Sequence, residues 1–245
     1  MTDYPRSLRP KERDLLESVL PPDRPGYDRY RALIGSMLVI GEGRRGAGNF
    51  VLGRTGDTPD ISSPLTPVVA YGMVETTREQ FTITIREFAG DQIDVEIVSV
   101  HGEEIPDHFE EKRRWTYSSW IPGNVSPATG TPVREVAVDT SCTLAIAGAE
   151  KRIWVYDRAT GMVHLIPITN FYNALMLHKR IRDPKVALRS ALLFEDLRSY
   201  TDADLRAAFV RYNRFRHRVS VTPPPEEERP SGFWSAVKSI FRTRE

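Results

Sequence analysis

The sequence predicts an α+β protein: short N-terminal helices, a mainly antiparallel β region of about eight to ten strands, then a C-terminal helical cluster and a tethered amphipathic helix. Three observations carry this. Apolar residues recur at helical spacing near both ends of the folded part. Between about residues 36 and 168 they alternate or form short apolar runs. Clusters of Gly, Pro, Asn and Asp separate those runs.

Pro10 can open a helix, because its fixed φ suits the first turn and its missing N–H is not needed there. Leu15, Leu16, Val19 and Leu20 give that helix an apolar stripe, and PPDRPG (21–26) stops it. Tyr27, Tyr30, Leu33 and Ile34 predict a second short helix leading into the first strand. In QFTITIREF, Phe81, Ile83 and Ile85 alternate with Thr82, Thr84 and Arg86. After the turn Ala89-Gly90-Asp91, Ile93, Val95 and Ile97 alternate with Asp94 and Glu96. These runs predict a hairpin whose outer face carries acidic charge. VVAYGMV (68–74) is apolar throughout, as expected in a sheet interior.

A second β block follows the loop IPGNVSPATGTP (121–132): REVAVD, CTLAIAG, KRIWVYD and MVHLIPI. Residues 142–167, with an xVYDxxTGxxxxxI rhythm, resemble one blade of a β-propeller. A propeller requires that unit to recur about every 40–45 residues, and no other copy occurs, so the resemblance implies hairpins and no function. After Pro167 the pattern turns helical. Thr169 is expected to cap a helix with Phe171, Ala174, Leu175, His178 and Ile181 on one face. Pro184 opens another, with Leu188, Leu192 and Leu193. Thr201 and Asp204 resemble a capping box before a third helix with Leu205, Ala208, Phe209, Tyr212 and Phe215 inward. The expected organisation is 1–35 helical, 36–168 β, 169–221 a helical part of the same domain, 222–230 (TPPPEEERP) a stiff linker, and 231–245 a separate amphipathic helix.

Composition narrows the function classes. The chain has 245 residues, 40% hydrophobic and 27% charged, enough for a core without covalent staples. Cys142 is the sole cysteine, which excludes an intramolecular disulfide and suits a reducing compartment. The first residues lack the apolar core of a secretion signal, and ALIGSMLVIG (32–41) is roughly half the length that crosses a bilayer. A cytoplasmic protein is expected. The net charge of +1 conceals segregation: residues 60–111 hold 12 acidic against 2 basic residues, and 170–218 hold 11 basic against 5 acidic. Such regions could orient a charged partner or face each other.

Four stretches could carry chemistry. GEGRRGAG (41–48) contains Gly41, Gly43 and Gly46 in G-x-G-x-x-G spacing with Arg44 and Arg45, a weak anion-binding candidate. The strand-like NFVLG that follows does not open the helix a dinucleotide fingerprint needs. No Gly-Lys-Ser/Thr ending makes a P-loop, and no lysine lies between Lys11 and Lys112 to serve a kinase-type loop. A hairpin connection is the expected role. HGEEIPDHFEE (101–111) gathers histidines and carboxylates without metal-ligand spacing and reads as a solvated acidic loop; no metal or cofactor is expected. His178 reads as a hydrogen-bonded structural histidine, His164 as a strand residue of open direction, and Cys142 as a buried, inert thiol. In RYNRFRHR (211–218), Arg211, Arg214 and Arg218 form a stripe that could touch nucleic acid but reads first as a solvated helix face.

The fourth stretch leads the functional expectation. In SGFWSAVKSIFRTRE, Phe233, Val237, Ile240 and Phe241 share one helical face with Trp234 beside it. Three destinations compete for this face: a groove on the same chain, a protein partner or second copy, and a membrane surface. The membrane ranks last, because only Lys238, Arg242 and Arg244 supply positive charge. The expected function is a non-enzymatic interaction or scaffold protein. The alternatives are a small-molecule or nucleotide-binding enzyme using the 41–48 loop, then a nucleic-acid binder using the 211–218 stripe.

Overall fold

The computed structural model describes residues 3–46, 48–61, 68–88, 91–99, 104, 106, 108–180 and 196–221, with the side chains of 196 and 214–221 outside the description. The expected Pro184 helix, the linker and the 231–245 helix also lie outside it. The chain divides into two compact units, one of residues 1–135 with 139–166, the other of 136–138 with 167–245.

The first unit opens with α1 (Pro10–Ser18) and α2 (Pro25–Ser36), each with proline in its first turn. The α1 start is closed by Glu12, whose Oε2 accepts the Arg9 backbone N–H at 2.8 Å. Six strands then form one antiparallel sheet in the order β1-β2-β5-β4-β3-β6: β1 (Leu38–Glu42), β2 (Asn49–Gly53), β3 (Val68–Thr76), β4 (Gln80–Glu87), β5 (Ile93–Ser99) and β6 (Glu111–Thr116). β3 lies between β4 and β6, the interior position its unbroken apolar run predicts. Leu15, Leu16, Val19, Tyr27 and Ile34 of the helices pack with Leu52, Ile83, Ile85, Ile93, Val95 and Ile97 of the sheet to form the main core.

A second sheet has the order β10-β9-β8-β7: β7 (Arg134–Ala137, divided between the units), β8 (Cys142–Ala147), β9 (Arg152–Asp157) and β10 (Val163–Leu165). The blade-like stretch is thus β8 to β10, present once. Trp154, Ala145, Ala147 and Val163 from this sheet close a second core with Tyr71, Tyr117 and Trp120. Tyr27 ties the α2 helix to the second sheet, its hydroxyl accepting the Val163 N–H at 2.9 Å. Arg24, at the N-cap of α2, donates to the carbonyls of Gly161 in the β9–β10 turn at 3.0 Å and of Ser119 at 2.9 Å.

In the second unit α3 spans Ile168–His178 and α4 spans Asp202–Val221. The expected Thr169 cap is not made: α3 starts two residues earlier, with Pro167 as its N-cap, and has no side-chain cap. The helix ends at His178, and Ile181 lies outside the described residues. The α4 capping box does form, with the Asp204 N–H donating to Thr201 Oγ1 at 3.2 Å and the Thr201 N–H to Asp204 Oδ2 at 3.3 Å. Leu205, Ala208 and Phe209 are buried as the spacing requires, and Tyr212 is half-buried. Among the described residues no helix is long and apolar enough to cross a membrane.

Candidate functional site

The glycine-rich stretch joins β1 to β2 as an antiparallel hairpin, as expected. Its polar groups are engaged by the chain itself. The Gly43 N–H donates to the Asn49 carbonyl at 2.7 Å and the Arg45 N–H to Asn49 Oδ1 at 2.8 Å, while Asn49 Nδ2 donates to Asp94 Oδ1 at 2.8 Å. Two glycines are steric necessities. A Cβ on Gly43 would meet the locked Asn49 amide at 2.2 Å, and one on Gly48, at φ +74°, would meet the Ile97 carbonyl at 2.6 Å. Arg45 pairs with Glu96 at 2.8 Å, and the Arg44 guanidinium lies 5.3 Å from the centre of the Phe88 ring. Of the candidate anion-binding residues, Gly43, Arg45 and Gly46 bond to Asn49, Gly41 pairs with Val51 in the β1–β2 ladder, and Arg44 lies over Phe88.

A cleft of about 250 Å³ borders this hairpin. It is lined by Gly46 and Gly48, by Tyr4, Arg6 and Arg9 of the N-terminal segment, by Phe50 and Ile97, and by Glu42 and Glu104. Neither Arg44 nor Arg45 lines it. Glu12, buried at the base, takes two bonds from Arg6, at 2.8 and 2.9 Å, and one from Arg9 Nε at 3.0 Å, besides the Arg9 amide. Burial alone would raise the Glu12 carboxyl above its ordinary value of 4.5. The bonds from Arg6 and the Arg9 amide reverse this and hold it lower. A depressed carboxyl stabilises the fold above its unfolded value and loses that contribution as pH falls through the folded one. Stability is therefore expected to decline below about pH 4.5, and Glu12→Gln to make the decline shallower. Denaturant unfolding from about pH 7 to about pH 3 checks this, since parallel curves for the two proteins would contradict it.

The β4–β5 hairpin requires a correction. Its second face was expected to be acidic and solvated, yet Asp94 is 0% exposed and the Arg86 side chain 10%. Alternation assigns a residue to a face without saying whether water reaches it. Here the polar groups bond laterally: Asn49 to Asp94, Arg86 to Glu96 at 3.4 Å, and Glu96 to Arg45. Asp94 Oδ2 has no hydrogen-bond partner among the described residues and lies 3.9 Å from Arg86 Nη1. Burial, then the nearby Arg45 charge, lowers the Arg86 pKa.

Another cluster that sequence spacing could not reveal centres on Glu150, in the turn between β8 and β9. Its carboxylate accepts hydroxyls from Tyr117, Ser126 and Thr129, and so clasps the 121–132 loop. Burial, then the bond to Glu150, raises the Tyr117 pKa. Further bonds fix the loop: Trp120 Nε1 to the Asn124 carbonyl at 3.0 Å and the Gly123 N–H to Glu135 Oε1 at 2.6 Å.

The remaining candidates fall outside any such cluster. His178 is exposed and not on the buried stripe, because α3 ends there; it sits 3.3 Å from Asp204 Oδ1, which also takes Lys179 at 2.7 Å. The Lys179 and Thr201 bonds hold the Asp204 carboxyl well below its ordinary range. Cys142 is half-buried where full burial was expected, and burial followed by the Asp139 charge raises its thiol. His164 is half-buried on β10. Arg211 is exposed on α4, and the side chains of Arg214 and Arg218 lie outside the described residues. So do Phe233, Trp234, Val237, Ile240 and Phe241. The 101–111 stretch is described only in part, and among the described residues no group of three His, Cys, Asp or Glu could hold a metal ion. No family model, curated protein or solved structure matches this chain.

Proposed function

We propose that this is a cytoplasmic, non-enzymatic interaction or scaffold protein that docks a protein partner, or a second copy of itself, through residues 231–245. The observation that supports the reading is the sequence spacing of Phe233, Val237, Ile240 and Phe241 at i, i+4, i+7 and i+8, with Trp234 beside Phe233, after the Pro/Glu-rich stretch TPPPEEERP. Each large apolar side chain buried in a partner contributes about 1.5–3 kcal/mol, enough in combination to hold a short helix. The acidic stretch at 60–111 and the basic stretch at 170–218 add orientation.

Replacing Phe233 and Trp234 together with alanine is the test. Partner capture, or sedimentation as a dimer, is expected to disappear while the melting temperature stays within about 1 °C. A drop of several degrees would place these side chains in the protein's own core and overturn the reading. The second reading, a small-molecule or nucleotide-binding enzyme using the 41–48 loop, rests on the glycine and arginine pattern of that loop, whose Gly46 and Gly48 border the cleft although Arg44 and Arg45 do not line it. It requires phosphate compounds to raise the melting temperature, and the joint Arg44→Ala and Arg45→Ala variant to lose that rise. A flat response across nucleotides removes it.

A further inference from the structure

We draw no further inference here: the strongest candidate, the cleft beside the β1–β2 hairpin lined by Tyr4, Arg6, Arg9, Glu12, Glu42 and Glu104, has its Arg6, Arg9 and Glu12 groups bonded to one another and Glu104 bonded to the Gly48 N–H, with no second observation that points to a ligand.

Discussion

Replacing Asp94 with alanine is expected to destabilise the first unit by about 3–5 kcal/mol, the range for breaking a buried ion pair from one side. Asp94 is 0% exposed, and its loss takes one of the two acceptors of Asn49 Nδ2 (the Val95 carbonyl is the other) and one of the two carboxylates beside Arg86. The Arg86 guanidinium would keep only Glu96, which it shares with Arg45. A fall in melting temperature of about 10 °C follows for a protein of this size. The combined variant Asp94→Leu with Arg86→Met removes both buried charges and is expected to recover most of the loss, since apolar residues of similar volume replace such pairs at little cost. A single Asp94→Ala variant within about 1 kcal/mol of the native protein would show that water reaches this face after all.

The second large effect is expected at Trp154. Its ring is fully buried in the second core, 5.1 Å from Tyr117 and 5.5 Å from Trp120 between ring centres, both edge-on. Trp154→Ala is expected to cost about 3–5 kcal/mol through the cavity it leaves. Trp154→Phe separates packing from polarity. The indole Nε1 has no hydrogen-bond partner among the described residues, so phenylalanine sacrifices some contact area without breaking a bond. Its cost should fall well below that of alanine in denaturant unfolding. Equal losses for the two variants would mean that the indole N–H bonds to a group the geometry does not show.

Much of the architecture was legible because it rests on local signals. Pro10 in its first turn placed α1, the Tyr27, Tyr30, Leu33 and Ile34 spacing placed α2, the Thr201–Asp204 pair placed α4, and period-two alternation placed β4 and β5. The errors share one cause: the outcome depended on what packs against an element. Asp94 and Glu96 were assigned to the right face, but the Asn49 side chain that satisfies Asp94 comes from 45 residues earlier in the chain. The cleft was missed because Arg6, Arg9 and Glu12 match no ligand motif. Glu150 was equally silent, its partners Tyr117, Ser126 and Thr129 lying 33, 24 and 21 residues away.

The Glu150 clasp bears on how this protein can be handled. Loops of about 12 residues are ordinarily the first choice for inserting a tag, a fluorophore or a cleavage sequence. Residues 121–132 would be a poor host, because opening them strands a carboxylate that satisfies three hydroxyls and unseats Trp120 from the aromatic core beneath. The short turn at 54–57, where the Arg54 N–H rests on Asp57 and the side chains point to water, would accept an added segment with far less disturbance.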